Sequence, residues 1–449
     1  MSKLSFYDPI YEIINFDNLI ASIDIEENIF NNGKRDIFSE LLKTFEISRL
    51  IFLKQAGLGF LEFPSATHNR FAHSIGCWYI GILALKDVKV HIADFDLSLN
   101  EWLKDNDKTI EFLISLLVHD CGHGPFSHVL ENNPDLDYNH EVIAGELILG
   151  SGKYFNIMRR KEKNYQSISA VLDNYGIDKE FIAGLVSYSN DDFNKHYNQF
   201  FGIKELLDGR IDFDRIDHYC RDSKHMGIKL GDYNIRALLE NIILFPNEYP
   251  KVVRVKDEGI PHVLNLLYCK DLIWMTALDK PAVRAYETML NKAVSLAIRK
   301  KVIDKNEVPF LSEDELLYKL RTCKETSIKY LFERIISRKP YEHLISIKIP
   351  HETDRKSIEE KIEQILSRLN LHEIDLLVHI PFKNKPKRAD IWLNIYDDVS
   401  GIELTEKEYS LSSSLFKKDL DRNLKLSFFI TEDKLDKKSN ALELLEKYF

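Results

Sequence analysis

The chain has 449 residues, 44% of them hydrophobic, which is enough for a large buried core divided among two or three domains. Its 61 basic and 71 acidic residues give a net charge of −10, which argues against nonspecific nucleic-acid binding over the whole surface. A local basic pocket for a small anionic ligand is compatible with that charge.

The N-terminal segment and the cysteines indicate a cytoplasmic protein. Residues 1–20 are interrupted by Asp8, Pro9 and Glu12 and lack the layout of a secretory signal. No run approaches the roughly 18 apolar residues that a membrane helix needs. The five cysteines are scattered without a CxxC pair, which is typical of reduced thiols and excludes a zinc site built from spaced cysteine pairs.

Residues 36–335 are predicted to be mostly helical, because apolar residues recur there at steps of three and four. The predicted helices cover residues 36–57, 70–88, 110–121, 126–132, 140–150, 205–227, 266–279 and 281–300. The helix over 110–121 is apolar on nearly all sides and should lie at the centre of the body. A short strand is predicted near residues 251–256.

The pattern changes at about residue 340. Strand-like alternation is found over residues 341–350, 374–382, 389–397 and 424–431, and amphipathic helices are predicted over 354–371 and 440–449. The predicted fold class is therefore mainly α: a helical domain over residues 1–338, followed by a smaller α+β module of unknown role over residues 339–449.

The stretch LLVHDCGHGPFSHVLEN, residues 116–132, ends a buried helix with polar groups that are costly to bury unless something satisfies them. The side chains of His119 and Asp120 splay by about 100° but can reach one ion beside the helix end. A divalent cation prefers nitrogen and oxygen ligands of this kind, and two more must come from elsewhere in the fold.

His73 on the helix RFAHSIGCWYIG and Asp214 in GRIDFDRIDHYCRD are the candidates for those ligands. The mixed imidazole–carboxylate set would suit Mg²⁺ or Mn²⁺, and equally Fe, Zn or Ni. A plainer interpretation stands beside this one: a lone histidine on an apolar helix is usually a satisfied core residue. Likewise, Asp217 and Arg221 form an i,i+4 pair, which usually marks a solvated helix face.

The order H…HD…D, carried by HNRFAHSIG, HDCGHGPFSH and DFDRIDHYCRDS, resembles the HD-superfamily metal-dependent phosphohydrolases. Within that superfamily the chain is most similar to the deoxynucleoside triphosphate triphosphohydrolase branch, which includes the bacterial dGTPases. YDPIYEIINFD and FLKQAGLGFLEFPSATHNRFAHS extend the resemblance, which covers about residues 5–335. It implies a helical HD-domain core, with the metal-binding part at about residues 50–235.

The resemblance also implies roles for the residues at matching positions. The implied metal ligands are His73, His119, Asp120 and Asp214. The implied catalytic residues, which orient the attacking water or transfer protons, are His128, Glu131, His123 and His140. The implied substrate-binding residues are Arg70 and Arg215 for phosphate, and Gln55, Asp222 and His218 for the sugar side.

Three positions depart from the pattern of the branch. Ala56 replaces a leucine, His218 replaces a tyrosine, and Leu278 lies where an aromatic residue that stacks on the base is expected. All three positions match contacts to the sugar or the base in the branch, and none matches a contact to the metal or the phosphates. A ribonucleotide or a modified nucleotide therefore stays open as the substrate.

The residues thus indicate a cytoplasmic protein, and the resemblance implies a homo-oligomeric nucleotide phosphohydrolase that hydrolyses (deoxy)nucleoside triphosphates to nucleoside and triphosphate. It would use one divalent metal ion per site, with additional Mg²⁺ accompanying the nucleotide. Two alternatives are a phosphomonoesterase or phosphodiesterase acting on another nucleotide, and a non-catalytic nucleotide-sensing module. Neither a membrane nor nucleic acid is indicated as a partner.

Overall fold

The structure is a computed structural model. It describes residues 5–16, 18–19, 36–136, 139–209, 211–231, 233–247, 252–350, 353–381, 395–396, 403–404 and 423–449. The mainly helical fold class with small sheets is confirmed. All five cysteines are free thiols and buried. None of the helices in the described ranges combines the length and the apolar character needed to cross a membrane.

The first half of the helical body contains eleven helices within the described residues. They are α1 (Ile37–Leu41), α2 (Phe45–Ser48), α3 (Arg70–Ile82), α4 (Leu99–Asp105), α5 (Thr109–Val118), α6 (His128–Glu131), α7 (His140–Leu149), α8 (Lys153–Lys161), α9 (Ile168–Asn174), α10 (Lys179–Ser187) and α11 (Asn190–Tyr197). The predicted helix over 36–57 is broken, because Thr44 adopts an extended backbone with ψ 151° and a 3₁₀ turn, Arg49–Phe52, follows α2.

Nine more helices follow along the described chain. They are α12 (Phe201–Asp208), α13 (Phe213–Met226), α14 (Ile235–Glu240), α15 (Ile260–Ile273), α16 (Pro281–Arg299), α17 (Glu313–Thr322), α18 (Thr326–Ile336), α19 (Arg355–Leu369) and α20 (Lys438–Tyr448). The predicted helix over 205–227 is two helices, since the side chain of Asp212 accepts a hydrogen bond from the backbone N–H of Arg215 and caps a new start at α13.

The strands form three small sheets. They are β1 (Ser5–Asp8), β2 (Glu12–Asn15), β3 (His91–Ile92), β4 (Leu97–Ser98), β5 (Ile242–Leu244), β6 (Val253–Lys256), β7 (Glu342–Pro350), β8 (Leu376–His379), β9 (Ile395–Tyr396), β10 (Glu403–Leu404) and β11 (Asn423–Ile430). β1 and β2 form an antiparallel hairpin, and β7, β11 and β8 form an antiparallel sheet in that order.

The third sheet joins the two parts of the chain. Its order is β10-β9-β6-β5-β3-β4, and β9 pairs in parallel with β6 of the helical body. The strand predicted over 389–397 is described only at residues 395–396, and its other residues lie outside the described ranges. Residues after 338 thus contribute to the body as well as to a sheet of their own.

Buried apolar side chains form two clusters. The larger cluster extends through the helical body, and the smaller one fills the space between α19, α20 and the β7-β11-β8 sheet. Helix α5 is buried at all ten positions, as its all-round apolar sequence predicts, and it packs against α3. A division at residues 338 and 339 stays a prediction, because the larger cluster also includes Tyr341, Leu377 and Phe429.

Candidate active site

Helices α3 and α13 approach each other closely at the site. Gly76 makes this possible, because a Cβ at this position would collide with the carboxylate of Asp217 on α13. The side chain of Asn69 caps α3 by accepting a hydrogen bond from the backbone N–H of Ala72. The motif RFAHSIG thus begins the helix, presents His73 and leaves room for the neighbouring helix.

The structure brings the four predicted metal ligands together. His73 Nε2 lies 3.0 Å from Asp214 Oδ1, 3.3 Å from His119 Nε2 and 3.7 Å from Asp120 Oδ2. His119 Nε2 lies 3.5 Å from Asp120 Oδ1. The side chain of His73 is fully buried and that of Asp214 is 39% exposed, so the cluster opens to solvent on the side of Asp214.

The hydrogen bonds of the two imidazoles direct their Nε2 atoms into this cluster. His73 Nδ1 lies 2.8 Å from Asp217 Oδ2, and His119 Nδ1 lies 2.9 Å from the carbonyl oxygen of Leu116. Each Nδ1 can therefore carry the proton and donate it, which leaves each Nε2 with a free lone pair. Two such lone pairs beside the Asp214 carboxylate repel one another unless a cation lies between them, so the donor set fits a divalent metal ion.

Cys77 lies one helical turn after His73, and its Sγ is 3.7 Å from the Nε2 of His73. Burial raises the pKa of the Cys77 thiol, and Sγ donates to the carbonyl oxygen of Phe213 at 3.7 Å. Since a thiolate rather than a thiol is the strong metal ligand, Cys77 is a neighbour of the cluster rather than a natural fifth ligand.

Asp217 and Arg221 are not on a solvated helix face; both side chains are fully buried. The guanidinium of Arg221 donates to both oxygens of Asp217 at 2.8 Å and to Asp8 at 2.7 Å, and the hydroxyl of Tyr11 donates to Asp217 at 2.9 Å. Although burial acts to raise the pKa of Asp217, Arg221 and His73 hold it below its usual value. The sequence interpretation missed this support for His73, although the spacing of Asp214 and Asp217 by one turn was a usable signal.

Three of the predicted catalytic residues form one hydrogen-bonded group. Glu131 Oε2 lies 2.7 Å from His128 Nδ1, and Glu131 Oε1 lies 2.6 Å from His140 Nδ1. These two hydrogen bonds hold the pKa of Glu131 below its usual value although burial acts to raise it. The pKa of His140 is raised, because the contact with Glu131 outweighs the lowering by burial. Both histidines are thereby oriented by a single carboxylate.

His123, the fourth predicted catalytic residue, links this group to the metal ligands. Its Nε2 lies 3.4 Å from Asp120 Oδ1, and its ring stacks on that of His140 with centroids 3.9 Å apart. Burial, followed by the charge of Arg70, lowers the pKa of His123 well below its usual value. The ring of His128 lies edge-on to both stacked rings, and one nitrogen from each of His123, His128 and His140 lies within 4.8 Å of the others, a spacing that could also hold a metal ion.

Arg70 lies between the metal ligands and the loop before α6. Its Nε donates to the hydroxyl of Ser127 at 2.8 Å, and its Nη1 donates to Asp120 Oδ2. Burial acts to raise the pKa of Asp120, but Arg70, His119 and His73 together hold it below its usual value. The guanidinium is therefore fixed at the edge of the cluster, where a phosphate oxygen could replace the hydroxyl of Ser127.

The predicted sugar-side residues also meet, together with one residue that sequence interpretation missed. Gln55 Nε2 lies 3.0 Å from His218 Nδ1, and His218 Nε2 lies 3.3 Å from Asp222 Oδ2. His68 Nε2 lies 2.6 Å from Asp222 Oδ1, and the ring of His68 stacks on that of His225. His68 precedes the RFAHSIG motif by two residues. A single histidine before a helix does not by itself predict a function, so the sequence did not identify it.

Arg215 is directed away from this group. Its Nη1 donates to the carbonyl oxygen of Gly209 and to Asp212 Oδ2, so the guanidinium is held by the cap of its own helix. Leu278 is partly buried at the end of a π-helical turn, Trp274–Leu278, that continues α15. The geometry therefore gives these two positions less support as substrate contacts than Gln55 or Asp222.

The chain is similar in sequence to several known proteins. An HD domain-containing protein of Acanthamoeba polyphaga mimivirus is 31% identical over 224 residues, which are 47% of this chain and 45% of that protein. The deoxynucleoside triphosphate triphosphohydrolase SAMHD1 of Homo sapiens is 26% identical over 281 residues, 56% of this chain and 41% of that protein. The chain spans about half the length of the curated relatives it matches. No protein-family model matches the chain.

A solved structure shares the fold over almost the whole chain. The crystal structure of a phosphohydrolase from Bacteroides thetaiotaomicron superposes with a TM-score of 0.65 at 19% identity, covering 96% of this chain and all of that one. Together with the sequence relatives, this fold confirms the resemblance drawn from the motifs. The chain is thus similar to the HD-superfamily phosphohydrolases, near the deoxynucleoside triphosphate triphosphohydrolase branch.

Proposed function

We propose that this protein is a metal-dependent nucleotide phosphohydrolase that cleaves (deoxy)nucleoside triphosphates into nucleoside and triphosphate. The observation that carries the proposal is that His73 and His119 lie 3.3 Å apart and that each lies within 4.0 Å of both Asp120 and Asp214, on three separate segments of the chain. Relatives named as triphosphohydrolases favour this substrate class over other phosphate esters.

A divalent cation held by these four residues would supply a Lewis acid that activates water and offsets the charge on phosphate. Arg70 is the group best placed to bind a phosphate oxygen, because it is fixed by Asp120 and Ser127 at the edge of the cluster. A planar guanidinium binds phosphate through two parallel hydrogen bonds, which also fixes the orientation of the substrate.

His128, Glu131 and His140 would transfer protons during the reaction. Since Glu131 accepts a hydrogen bond from the Nδ1 of each histidine, both rings present Nε2 outward as acceptor or donor. The side chain of His128 is 66% exposed and that of His140 is 18% exposed, so the two differ in their access to solvent. We assign His128 to the attacking water and His140 to the leaving oxygen, with His123 between them and the metal ligands.

Gln55, His218 and Asp222 would bind the sugar. Gln55 and Asp222 are buried, and a buried carboxylate and amide are suited to hydrogen-bond a sugar hydroxyl. Ala56 and His218 stand where relatives carry leucine and tyrosine, so we include ribonucleotides among the candidate substrates.

The test is a substrate panel with the purified full chain, loaded with Mn²⁺ or Mg²⁺ and offered all dNTPs and NTPs. The proposal predicts release of inorganic triphosphate and the matching nucleoside, with elemental analysis showing one metal ion per chain. Release of orthophosphate or a nucleoside monophosphate would instead support a phosphomonoesterase or phosphodiesterase. Tight nucleotide binding without turnover, unaffected by replacing His128 or Glu131, would support a nucleotide sensor. No product from any nucleotide would remove the proposal.

We also propose that the protein forms a homo-oligomer. Tyr268, Trp274 and Met275, at the end of α15 and in the π-helical turn after it, are 40%, 50% and 66% exposed, which is unusual for large apolar side chains on one segment. Light scattering on the purified chain measures the mass directly, and a monomer at all concentrations would contradict this expectation.

A further inference from the structure

His68 is a buried residue that no step of the proposed reaction uses. It lies in the segment before α3, and its side chain is 2% exposed. Two backbone hydrogen bonds pair this segment with residues 53–55: the N–H of Gln55 donates to the carbonyl oxygen of His68 at 3.0 Å, and the N–H of Arg70 donates to that of Leu53 at 2.9 Å. His68 and Gln55 are therefore fixed side by side, next to the arginine that we propose binds phosphate.

The side chain of His68 is bonded to Asp222 on α13. Its Nε2 lies 2.6 Å from Asp222 Oδ1, and since a carboxylate only accepts hydrogen bonds, Nε2 carries the proton and donates it. Although burial acts to raise the pKa of Asp222, His218 and His68 hold it below its usual value. Asp222 is therefore an ionised carboxylate with one of its oxygens held by His68.

The second oxygen of this carboxylate is unused. Asp222 Oδ2 and Gln55 Oε1 are buried, and neither accepts a hydrogen bond from the described residues. Both side chains contact His218, at 3.3 Å and 3.0 Å, and the side chain of His218 is 26% exposed. The ring centroids of His218 and His73 are 6.1 Å apart. Two acceptors without a donor thus flank a partly exposed ring beside the metal ligands, where a sugar hydroxyl could donate to them.

The contacts among these residues form a closed ring. Gln55 contacts His218, His218 contacts Asp222, Asp222 is bonded to His68, and the backbone of His68 is bonded to that of Gln55. The last torsion of an aspartate side chain has only broad preferences, so a bond to one oxygen is needed to fix the direction of the other. In this ring, the N–H of His68 supplies that bond.

We propose that His68 is a positioning residue of the sugar site, which holds Asp222 Oδ1 so that Oδ2 accepts a hydrogen bond from a hydroxyl of the nucleotide sugar. The identification of the ligand as a nucleotide rests on the proposed function. His68 acts through Asp222, so its loss weakens the contact to the hydroxyl and leaves the metal and phosphate contacts in place.

Kinetics on the full chain loaded with Mn²⁺ test this role. A dNTP carries one sugar hydroxyl and a dideoxynucleotide (ddNTP) carries none, so the ratio of their kcat/KM values measures the contact to that hydroxyl. His68→Gln places an amide nitrogen near the position of Nε2, whereas His68→Asn places it near that of Nδ1, away from Asp222. We expect the ratio to fall at least about tenfold in His68→Asn, as for one hydrogen bond to a charged group, and to stay within about threefold in His68→Gln.

His225→Asn is the matched control. The ring of His225 stacks on that of His68 with centroids 4.4 Å apart, so this variant removes the stack but keeps the bond to Asp222, and the ratio should not change. Circular dichroism confirms that each variant is folded. Equal losses with dNTP and ddNTP in His68→Asn would show a merely structural role and overturn the inference. Should His68→Asn not fold, a tenfold lower ratio in His68→Gln would still overturn it.

Binding separates this inference from the proposed function. Replacing the 5′-oxygen of the dNTP and the ddNTP by a methylene group blocks cleavage at the proposed bond, and calorimetry then measures affinity alone. If no nucleotide is cleaved, the proposed function fails, but weaker binding of the deoxy analogue to His68→Asn, with unchanged binding of the dideoxy analogue, supports the role of His68. Equal affinities of the unmodified chain for the two analogues, or no binding of either, would overturn it.

Discussion

The two halves of the candidate active site differ in how completely their polar groups are paired. In the metal half, which we define as His73, His119, Asp120 and Asp214, both imidazoles have a hydrogen-bond partner at Nδ1, and the partner of His73, Asp217, is bonded by three separate side chains. We call Gln55, His68, His218 and Asp222, part of which we propose to bind the sugar, the sugar half. There, Gln55 Oε1 and His68 Nδ1 are buried and have no partner among the described residues. The first half is preorganised by the fold, while the second has unused hydrogen-bonding capacity.

This difference indicates where the free energy of ligand binding is gained. A buried polar atom without a partner costs about 1–3 kcal/mol, and a ligand that bonds to it recovers that cost. The metal half needs only a cation to complete it, but the sugar half needs a ligand with hydrogen-bonding groups of its own. Substitutions in the metal half should therefore abolish activity, and substitutions in the sugar half should change which substrate is preferred.

The largest effect is expected in the metal half. Asp120→Ala removes a ligand and also leaves Arg70 without its buried partner. We expect bound metal close to zero by elemental analysis. Turnover should fall by more than about 10⁴-fold, beyond the 10²–10⁴-fold that the loss of a general acid or base causes. Asp96→Ala is the control, since the side chain of Asp96 is 97% exposed. Full metal content in Asp120→Ala would contradict the proposed ligand set.

The next largest effect separates proton transfer from metal binding. Glu131→Gln keeps the shape of the side chain but removes the charge that orients His128 and His140. We expect turnover to fall by about 10²–10⁴-fold with the metal content unchanged. If Glu131→Gln lost as much metal as Asp120→Ala, α6 would belong to the metal half. Proton transfer and metal binding would then not be separate functions of the site.

The sequence predicted the mainly helical fold, because long segments with a period near 3.6 residues leave little ambiguity. It also named the four proposed ligands, since each lies in a short motif of chemically distinctive residues. Whether these four side chains lie close together could be tested only in the structure. The break between α12 and α13 was missed because Asp212 interrupts the helix by capping the next one, within an otherwise continuous apolar pattern.

The burial of Asp217 and Arg221 could not be predicted from their own segment. An i,i+4 pair of opposite charges has the same sequence pattern on a solvated face as in a core. What buries it is the hairpin β1–β2, about 200 residues earlier in the chain, which supplies Asp8 and Tyr11. Such a long-range contact leaves no trace in local periodicity.

A smaller effect on metal binding is expected at Asp217, which is joined to the proposed ligand His73 by a hydrogen bond. Asp217→Asn weakens the hydrogen bond that holds His73, and we expect metal affinity to fall by about 10–100-fold in a competition titration. It also leaves the charge of Arg221 poorly compensated in the core, which typically costs about 3–5 kcal/mol of unfolding free energy in urea.

The double variant Asp217→Asn with Arg221→Met separates these two consequences. Removing the buried cation should restore much of the stability but none of the metal affinity, since His73 still lacks its carboxylate partner. Recovery of both would mean that Asp217 acts on the fold as a whole and does not position His73. That result would weaken the contrast between a metal half whose polar groups are already paired and a sugar half that has unpaired polar atoms.

The smallest effect is expected in the sugar half, where His218→Tyr changes the side chain that contacts Gln55 and Asp222. A tyrosine is longer and reaches further into the space beside the sugar, so the variant should shift kcat/KM toward deoxynucleotides. We expect a change of about tenfold in the ratio for dNTP over NTP, typical of one altered contact in a pocket. Metal content should be unchanged, because His218 is not among the four proposed ligands. If the variant lost metal instead, the two halves would share one network, and their different pairing would not reflect separate roles.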